Sequence, residues 1–262
     1  MSSPQNPILE LPAPATPPPV ENPPWSLWDV VQLAALTFLT PILFLILGGA
    51  AAQHFLYKST ALTDVVQKPS LSLLAELLAY GVVLFCMVAL VHGKTRQPFL
   101  VGVGWNWPQR KWGLISLGVA LLFALQLVGH FLPIPKNVPF DKFFAQRTDA
   151  YLTSLFAISV GPLMEELFFR GFLYPVLARR MRMGSAVVVT ALAFGSVHSL
   201  QLAFSWAAVL VIVIVGLVLT MVRAVTHSVG SSFLVHVAYN ATLTVLTFVG
   251  TDGFRHMERL NQ

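Results

Sequence analysis

The chain has 262 residues, of which 56% are apolar and 10% are charged, and its formal net charge is +5. An ordinary soluble domain has roughly 25% charged residues, so this composition excludes a soluble globular protein and, for most of the chain, a disordered one. The Lys and Arg residues lie mostly between apolar runs, where membrane topology accounts for them, and no motif for binding nucleic acid is present. The sequence therefore predicts an all-α, polytopic transmembrane helical bundle.

The amino-terminal residues form a proline-rich tail, because half of the 18 prolines lie within the first 24 residues. Proline fixes φ and has no amide hydrogen, so we expect residues 1–28 to be extended or disordered. The tail lacks the basic and apolar regions of a signal peptide. We interpret it as a passive solvated tail; the alternative is that it presents a proline motif to a partner.

Seven apolar runs follow, and each is compared with the roughly 20 residues that a helix needs to cross the hydrocarbon layer. They cover about 29–53, 71–91, 112–132, 151–177, 185–200, 203–222 and 231–249. The fifth run is short and is followed almost at once by the sixth, so these two runs are predicted to form a tight hairpin. We predict about seven spans, with the chemistry in the last four.

Residues 133–149 separate the third and fourth runs. Three prolines interrupt the helix, and charged residues then alternate with Phe140, Phe143 and Phe144. This pattern predicts an amphipathic helix at the membrane interface. The alternative is a lid or an element that contacts the substrate.

Basic residues that lie close to the spans predict the membrane orientation. On one side they are Lys94, Arg96, Arg110, Lys111, Arg179, Arg180, Arg182 and Arg223. We expect this side to be cytoplasmic, which places the amino terminus inside the cell.

The fourth run contains three charged residues, each of which costs roughly 2.5–3.5 kcal/mol at the centre of a membrane helix. Glu166 and Arg170 are four residues apart on one helix face and are predicted to form a neutralising ion pair. Glu165 lies about 140° from Arg170 around the helix and has no partner within it. Its carboxylate is therefore a candidate general base. Pro162 precedes the glutamates and either kinks the helix to widen a cavity or simply packs.

Two further runs carry polar residues. The fifth ends in Phe194 and His198, and the seventh contains His236 and Asn240, which share a helix face. Each histidine alone is typical of hydrogen bonding between membrane helices. Together with Glu165, these groups supply bases and oxyanion donors, which is enough to hydrolyse an amide with water.

Other hydrolase chemistries lack their residues. The sequence has no HExxH pair, no aspartate in the middle of an apolar run and no GxSG serine. The single cysteine, Cys86, has no polar neighbours in its run, so a Cys–His nucleophile is not indicated.

At these residues the chain resembles the CPBP family of CAAX proteases and bacteriocin-processing enzymes, in the bacterial branch around the type II CAAX prenyl endopeptidase. The family's EExxxR motif is matched by residues 165–170, its FxxxH motif by residues 194–198 and its HxxxN motif by residues 236–240. The resemblance covers about residues 150–250.

The resemblance implies a multi-pass endopeptidase of the bacterial inner membrane that cleaves membrane-associated substrates, CAAX-type prenylated ones among them. Glu165 and His198 would activate water, and His236 and Asn240 would stabilise the oxyanion. The supporting residues would be Glu166, Arg170 and Phe194. No cofactor is expected; in the alternative, Glu165, His198 and His236 would hold zinc.

The expected partners are the lipid bilayer and a membrane-associated peptide or protein. Two other functions stay open from the sequence. One is a non-catalytic scaffold or bacteriocin-immunity factor on the same fold, and the other is a proton-coupled carrier, although the internal repeat typical of carriers is absent. We divide the chain into a tail (1–28), amino-terminal helices with the interfacial segment (29–149), a CPBP-like core (150–250) and a carboxy-terminal tail (251–262).

Overall fold

The computed structural model describes residues 21–258, so most of the predicted tail, together with residues 259–262, lies outside the described residues. Within residues 21–258 the chain is helical, with no strand. The α-helices are α1 (Leu27–Phe55), α2 (Leu62–Val66), α3 (Pro69–Thr95), α4 (Phe99–Gly102), α5 (Lys111–His130), α6 (Arg147–Ile158), α7 (Val160–Glu166), α8 (Tyr174–Ala178), α9 (Met183–Val197), α10 (Trp206–Thr226) and α11 (Val229–Gly250). A 3-10 helix covers Pro139–Phe144, and a π-helical segment covers Leu167–Leu173.

The long helices confirm the predicted all-α membrane bundle. Six helical stretches in the described residues are long and apolar enough to cross a membrane, and Arg147–Ala178 counts as one of them. The prediction of about seven spans is roughly consistent with these six stretches together with the shorter apolar helix α9. Along α1, Phe38, Leu39 and Leu47 are each more than half exposed. Such a large apolar surface is suited to contact with lipid.

Helix α9 is shorter than the apolar run that predicts it. It has 15 residues and ends at Val197, with His198 as its C-cap. At 1.5 Å per residue this helix is about 22 Å long, less than the roughly 30 Å of a hydrocarbon core. A helix of this length does not cross the hydrocarbon core by itself, and His198 lies at its carboxy-terminal end.

The fourth span is interrupted twice. Helix α6 ends at a break where Ser159 has φ −131° and ψ −87°. Pro162 lies in the first turn of α7, where a missing N–H leaves no helical bond unmade. The discontinuity that we expect at Pro162 therefore lies at Ser159. After Glu166 the helix widens into the π-helical segment, a distortion that is frequent at functional sites.

The segment between α5 and α6 is not the long amphipathic helix that the sequence predicts. It contains a 3-10 helix of six residues, and Asp141 accepts a hydrogen bond of 2.7 Å from the N–H of Val138 at its start. Three prolines prevent a longer helix here. The N–H of Phe140 donates to the carbonyl of Gln201, 3.2 Å away, in the loop that follows His198. This contact favours the alternative of an element near the site.

Two glycines let the helices that carry the site approach closely. A Cβ at Gly118 of α5 would lie 2.4 Å from the carbonyl oxygen of Val235 in α11. A Cβ at Gly195 of α9 would lie 2.3 Å from Cγ2 of Val213 in α10. Both distances are shorter than van der Waals contact, so the helix positions depend on glycine. These two packings hold α11 and α9, and thus His236 and His198, against the centre of the bundle.

Candidate active site

The predicted ion pair in the fourth span is present and fully buried. Nη1 of Arg170 lies 2.9 Å from Oε1 of Glu166, and both side chains have 0% exposure. Arg170 also donates to the hydroxyl of Thr220 and to the carbonyl of Gly216, at 3.3 and 3.1 Å. Because all of these partners are protein groups, the guanidinium ties the fourth span to α10 without water.

The aromatic ring of Phe194 packs against the guanidinium of this ion pair. The guanidinium carbon of Arg170 lies 4.5 Å from the centre of the Phe194 ring, a cation–π distance. The same ring lies 4.9 Å from the ring of His198 and 6.0 Å from that of His236. Phe194 therefore contacts residues from all three polar motifs, which suits the supporting role expected for it.

His236 lies between the two adjacent glutamates of α7. Its Nδ1 is 2.8 Å from Oε1 of Glu166. Its Nε2 is 3.6 Å from Oε2 of Glu165. Oε1 of Glu166 thus interacts with both Arg170 and His236, while Oε2 is buried and has no hydrogen-bond partner in residues 21–258.

His198 reaches Glu165 from the other side. Its Nδ1 lies 2.7 Å from the carbonyl oxygen of Phe194, and since a carbonyl only accepts, Nδ1 carries the proton. Nε2 of His198 then faces Oε1 of Glu165 at 3.8 Å. Glu165 has no partner within its own helix, as predicted, and it has two histidines from other helices.

Asn240 lies one turn after His236 and points to the break in the fourth span. Its side-chain N–H donates to the carbonyl of Ala157 at 2.7 Å. The break at Ser159 leaves this carbonyl outside the regular helical pattern, and Asn240 satisfies it. An amide carries two N–H donors, so one of them is used here and the other is the one that would serve an oxyanion.

These helices also correspond to a known family. Residues 147–242 match the family model described as type II CAAX prenyl endopeptidase Rce1-like. These residues form an Rce1-like domain. The matched stretch contains all three motifs on which the resemblance rests, so the predicted resemblance is confirmed for residues 147–242. No curated protein and no solved structure matches the chain.

The Rce1-like domain belongs to a protease family, which supports a peptidase. Its arrangement brings together Glu165, His198 and His236 from α7, α9 and α11. Glu165 and His198 are partly exposed, with 25% and 20% of their side chains accessible. A water molecule or a polar substrate group can therefore reach the carboxylate, whereas the Glu166–Arg170 pair below it is closed to solvent.

Sequence reasoning misses two polar residues next to the Rce1-like domain, both on α3. The hydroxyl of Tyr80 donates to Oε1 of Glu76 at 2.9 Å, and the ring of Tyr80 stacks on Phe156 of α6, 5.8 Å away. Glu76 interacts electrostatically with Glu165 and His198. The signal in the sequence is Glu76 itself, a single carboxylate in the otherwise apolar second run.

In the zinc alternative, Glu165, His198 and His236 would be the ligands. In the part of the chain that the structure describes, no group of three or more His, Cys, Asp or Glu side chains is arranged to hold a metal ion. The expectation that no cofactor is needed stays a prediction, to be tested with a chelator.

Proposed function

We propose that the chain is an intramembrane endopeptidase in which Glu165 and His198 activate a water molecule. The observation that supports it best is the placement of two imidazole nitrogens on either side of one accessible carboxylate, 3.8 and 3.6 Å from its two oxygens. Both separations exceed a direct hydrogen bond, and a water molecule that bonds to both groups is the arrangement that we propose here.

The position of the proton on His198 favours a water molecule that bonds to both His198 and Glu165. His198 uses its Nδ1 proton on the carbonyl of Phe194, so in the neutral ring Nε2 is an acceptor that faces the acceptor oxygens of Glu165. Two facing acceptors repel each other unless a donor lies between them. Water has two O–H donors and satisfies both groups, in the position where a general base would deprotonate it.

The reaction then follows in balanced steps. Glu165 accepts a proton from the water while the water oxygen attacks the peptide carbonyl carbon. The tetrahedral intermediate carries a negative oxygen, which the second N–H of Asn240 and the Nε2–H of a His236 ring that is protonated on both nitrogens would stabilise. When the C–N bond breaks, the proton passes to the leaving amine, and His198 is suitably placed to transfer it.

The substrate class follows from the setting and from the family. The site is surrounded by membrane helices, so the scissile bond belongs to a membrane-associated peptide or protein. The name of the family adds CAAX-type prenylated substrates as the first class to test. We further propose that the protein resides in the bacterial inner membrane and works without a metal.

The test is cleavage of quenched fluorescent peptides, prenylated and unprenylated, by purified protein in detergent. Glu165→Gln is compared with Asp252→Asn, a matched change at an exposed carboxylate near the end of the chain. We expect wild-type and Asp252→Asn turnover that survives a strong zinc chelator, and none from folded Glu165→Gln. Retained turnover in Glu165→Gln would contradict the general base.

Two other results would assign a different function. Turnover that is lost with chelator and restored by zinc would make the same residues metal ligands. If the folded wild-type protein cleaves no peptide of either class, the non-catalytic scaffold or immunity factor gains support.

A further inference from the structure

A second charged site lies away from Glu165, where the amino-terminal segment meets the end of α10. Both oxygens of Glu21 contact the guanidinium of Arg223, at 2.7 Å to Nη1 and 3.2 Å to Nη2. Nδ1 of His227 lies 3.3 Å from Oε1 of Glu21. The side chain of Arg223 is 4% exposed, so its bidentate contact with Glu21 is largely shielded from solvent. We call Arg223 and His227 together the cradle.

Glu21 belongs to residues 21–25, a segment that we call the strap. The guanidinium of Arg179 donates to the carbonyls of Pro23 and Trp25, at 2.7 and 3.3 Å. Trp25 is 1% exposed and its indole N–H donates to the carbonyl of Phe172. Trp25 therefore fixes one end of the strap, and Glu21 is attached to the cradle only through its own carboxylate.

The cradle lies near residues at which three membrane helices begin or end. Helix α10 ends at Thr226, α3 ends at Thr95 and α1 starts at Leu27. Lys94 and Arg179, which the sequence assigns to the same membrane side as Arg223, also contact residues 21–29. The three basic residues therefore share one side, while its assignment to the cytoplasm stays a prediction.

A cavity of about 550 Å³ opens beside the cradle. Arg223, His227 and Lys94 line it, and so does Val101, which is 61% exposed. The cavity is thus lined by basic side chains and by an exposed apolar one. Basic pockets between membrane helices at an interface are typical sites for phospholipid head groups.

We propose that Arg223 and His227 form a binding site for the phosphate of an anionic phospholipid, and that Glu21 occupies this site in cis. The two carboxylate oxygens of Glu21 take the positions that two phosphate oxygens would take on the guanidinium fork. Lys94 also lines the cavity, but it pairs with Asp29 at 2.7 Å and is not counted as part of the site. Val101 would contact the first part of an acyl chain, which a free phosphate does not have.

The test measures the thermal unfolding of the detergent-purified full chain during titration with phosphatidylglycerol. Phosphatidylcholine and inorganic phosphate are titrated in parallel. A ligand that binds the folded state raises the unfolding temperature, and removal of a competing internal ligand increases its apparent affinity. We expect Glu21→Gln to bind phosphatidylglycerol about tenfold more tightly than the wild type. The matched control, Asp252→Asn, removes one negative charge elsewhere and should behave as the wild type.

A loss-of-binding arm uses His227→Gln, because Nε of Arg223 also donates to the carbonyl of Arg170 and its removal can disturb the core. In the Glu21→Gln background, His227→Gln should weaken the phosphatidylglycerol effect, while Arg255→Gln, at an exposed cation, should not. Equal affinity in Glu21→Gln and the wild type would overturn the proposal. An equal effect of phosphatidylcholine would do so too, and an equal effect of inorganic phosphate would show that lipid is not the source of the anion.

Discussion

His236 connects the two adjacent glutamates of α7, with Nδ1 2.8 Å from Glu166 and Nε2 3.6 Å from Glu165. Neighbouring residues on a helix point about 100° apart, so only a group that lies between them contacts both. Because Glu166 is a carboxylate acceptor, it holds the proton of His236 on Nδ1 and directs Nε2 to the reacting side. Glu166 therefore orients the imidazole as well as neutralising Arg170.

This relationship predicts the effect of Glu166→Gln. The amide keeps the shape of the side chain but can present an N–H to Nδ1, so His236 would lose the acceptor that orients its ring. Loss of such an orienting partner typically reduces activity about 10- to 100-fold. We expect this decrease in kcat/KM, with a changed pH profile, in a protein that still folds. Activity and profile equal to the wild type would show that Glu166 has only its ion-pair role.

The sequence predicts this part of the site well because the motifs are local. The pairing of Glu166 with Arg170 follows from their spacing on one helix. The contact between Glu166 and His236 joins residues 70 positions apart, and no local pattern contains it. Hydrophobic periodicity also does not predict the π-helical segment or the break at Ser159. It records which residues are buried and not how the backbone hydrogen bonds are paired.

The role of Glu76 cannot be read from the sequence for a related reason. A lone carboxylate in an apolar run gives no spacing to interpret, and its meaning depends on which helices pack against α3. The short length of α9 is visible in the sequence, whereas the close packing of Gly195 on Val213 is not. The chemistry of each motif can thus be predicted from the sequence, whereas the distances between the motifs cannot.

Arg170→Ala is predicted to destabilise the fold. The change leaves the carboxylate of Glu166 buried with no cation, and removal of one partner from a buried pair costs about 3–5 kcal/mol. We expect a lower folded yield and a lower thermal unfolding temperature in detergent. Arg255→Ala breaks an exposed pair with Asp252 and should change stability by less than about 1 kcal/mol. A normally folded but inactive Arg170→Ala protein would contradict this structural assignment.

Gly118→Ala is predicted to displace α11 from α5. The added Cβ would meet backbone atoms of Val235 and Tyr239, at 2.4 and 3.0 Å, and backbone cannot rotate away as a side chain can. Overpacking of this kind costs about 1–3 kcal/mol, and the shift would move His236 away from Glu165. We expect reduced stability and reduced peptide cleavage. Gly113→Ala on the same helix has nothing within 4 Å of the new Cβ and should leave both unchanged.

Glu76→Gln is predicted to change the pH dependence of cleavage. It removes a negative charge that interacts with Glu165 and His198, and this changes the electrostatic field at both groups. The acid limb of the kcat/KM profile should therefore move. Glu76→Asp and Tyr80→Phe both keep the charge and should leave the limb in place. An unchanged limb in Glu76→Gln would show that its charge does not act on the site.

Acid is predicted to release the amino-terminal strap from the cradle. Burial raises the pKa of Glu21, but the hydrogen bonds and charges of Arg223 and His227 outweigh it and hold the pKa below the ordinary value of 4.5. A depressed pKa means that the stabilisation by Glu21 is complete above 4.5 and is lost as the pH falls through the lower, folded value. The difference in unfolding temperature between the wild type and Glu21→Gln should therefore be constant near neutral pH and disappear in acid. A difference that grows on acidification would contradict the direction of this shift, and no difference at any pH would show that Glu21 does not hold the strap.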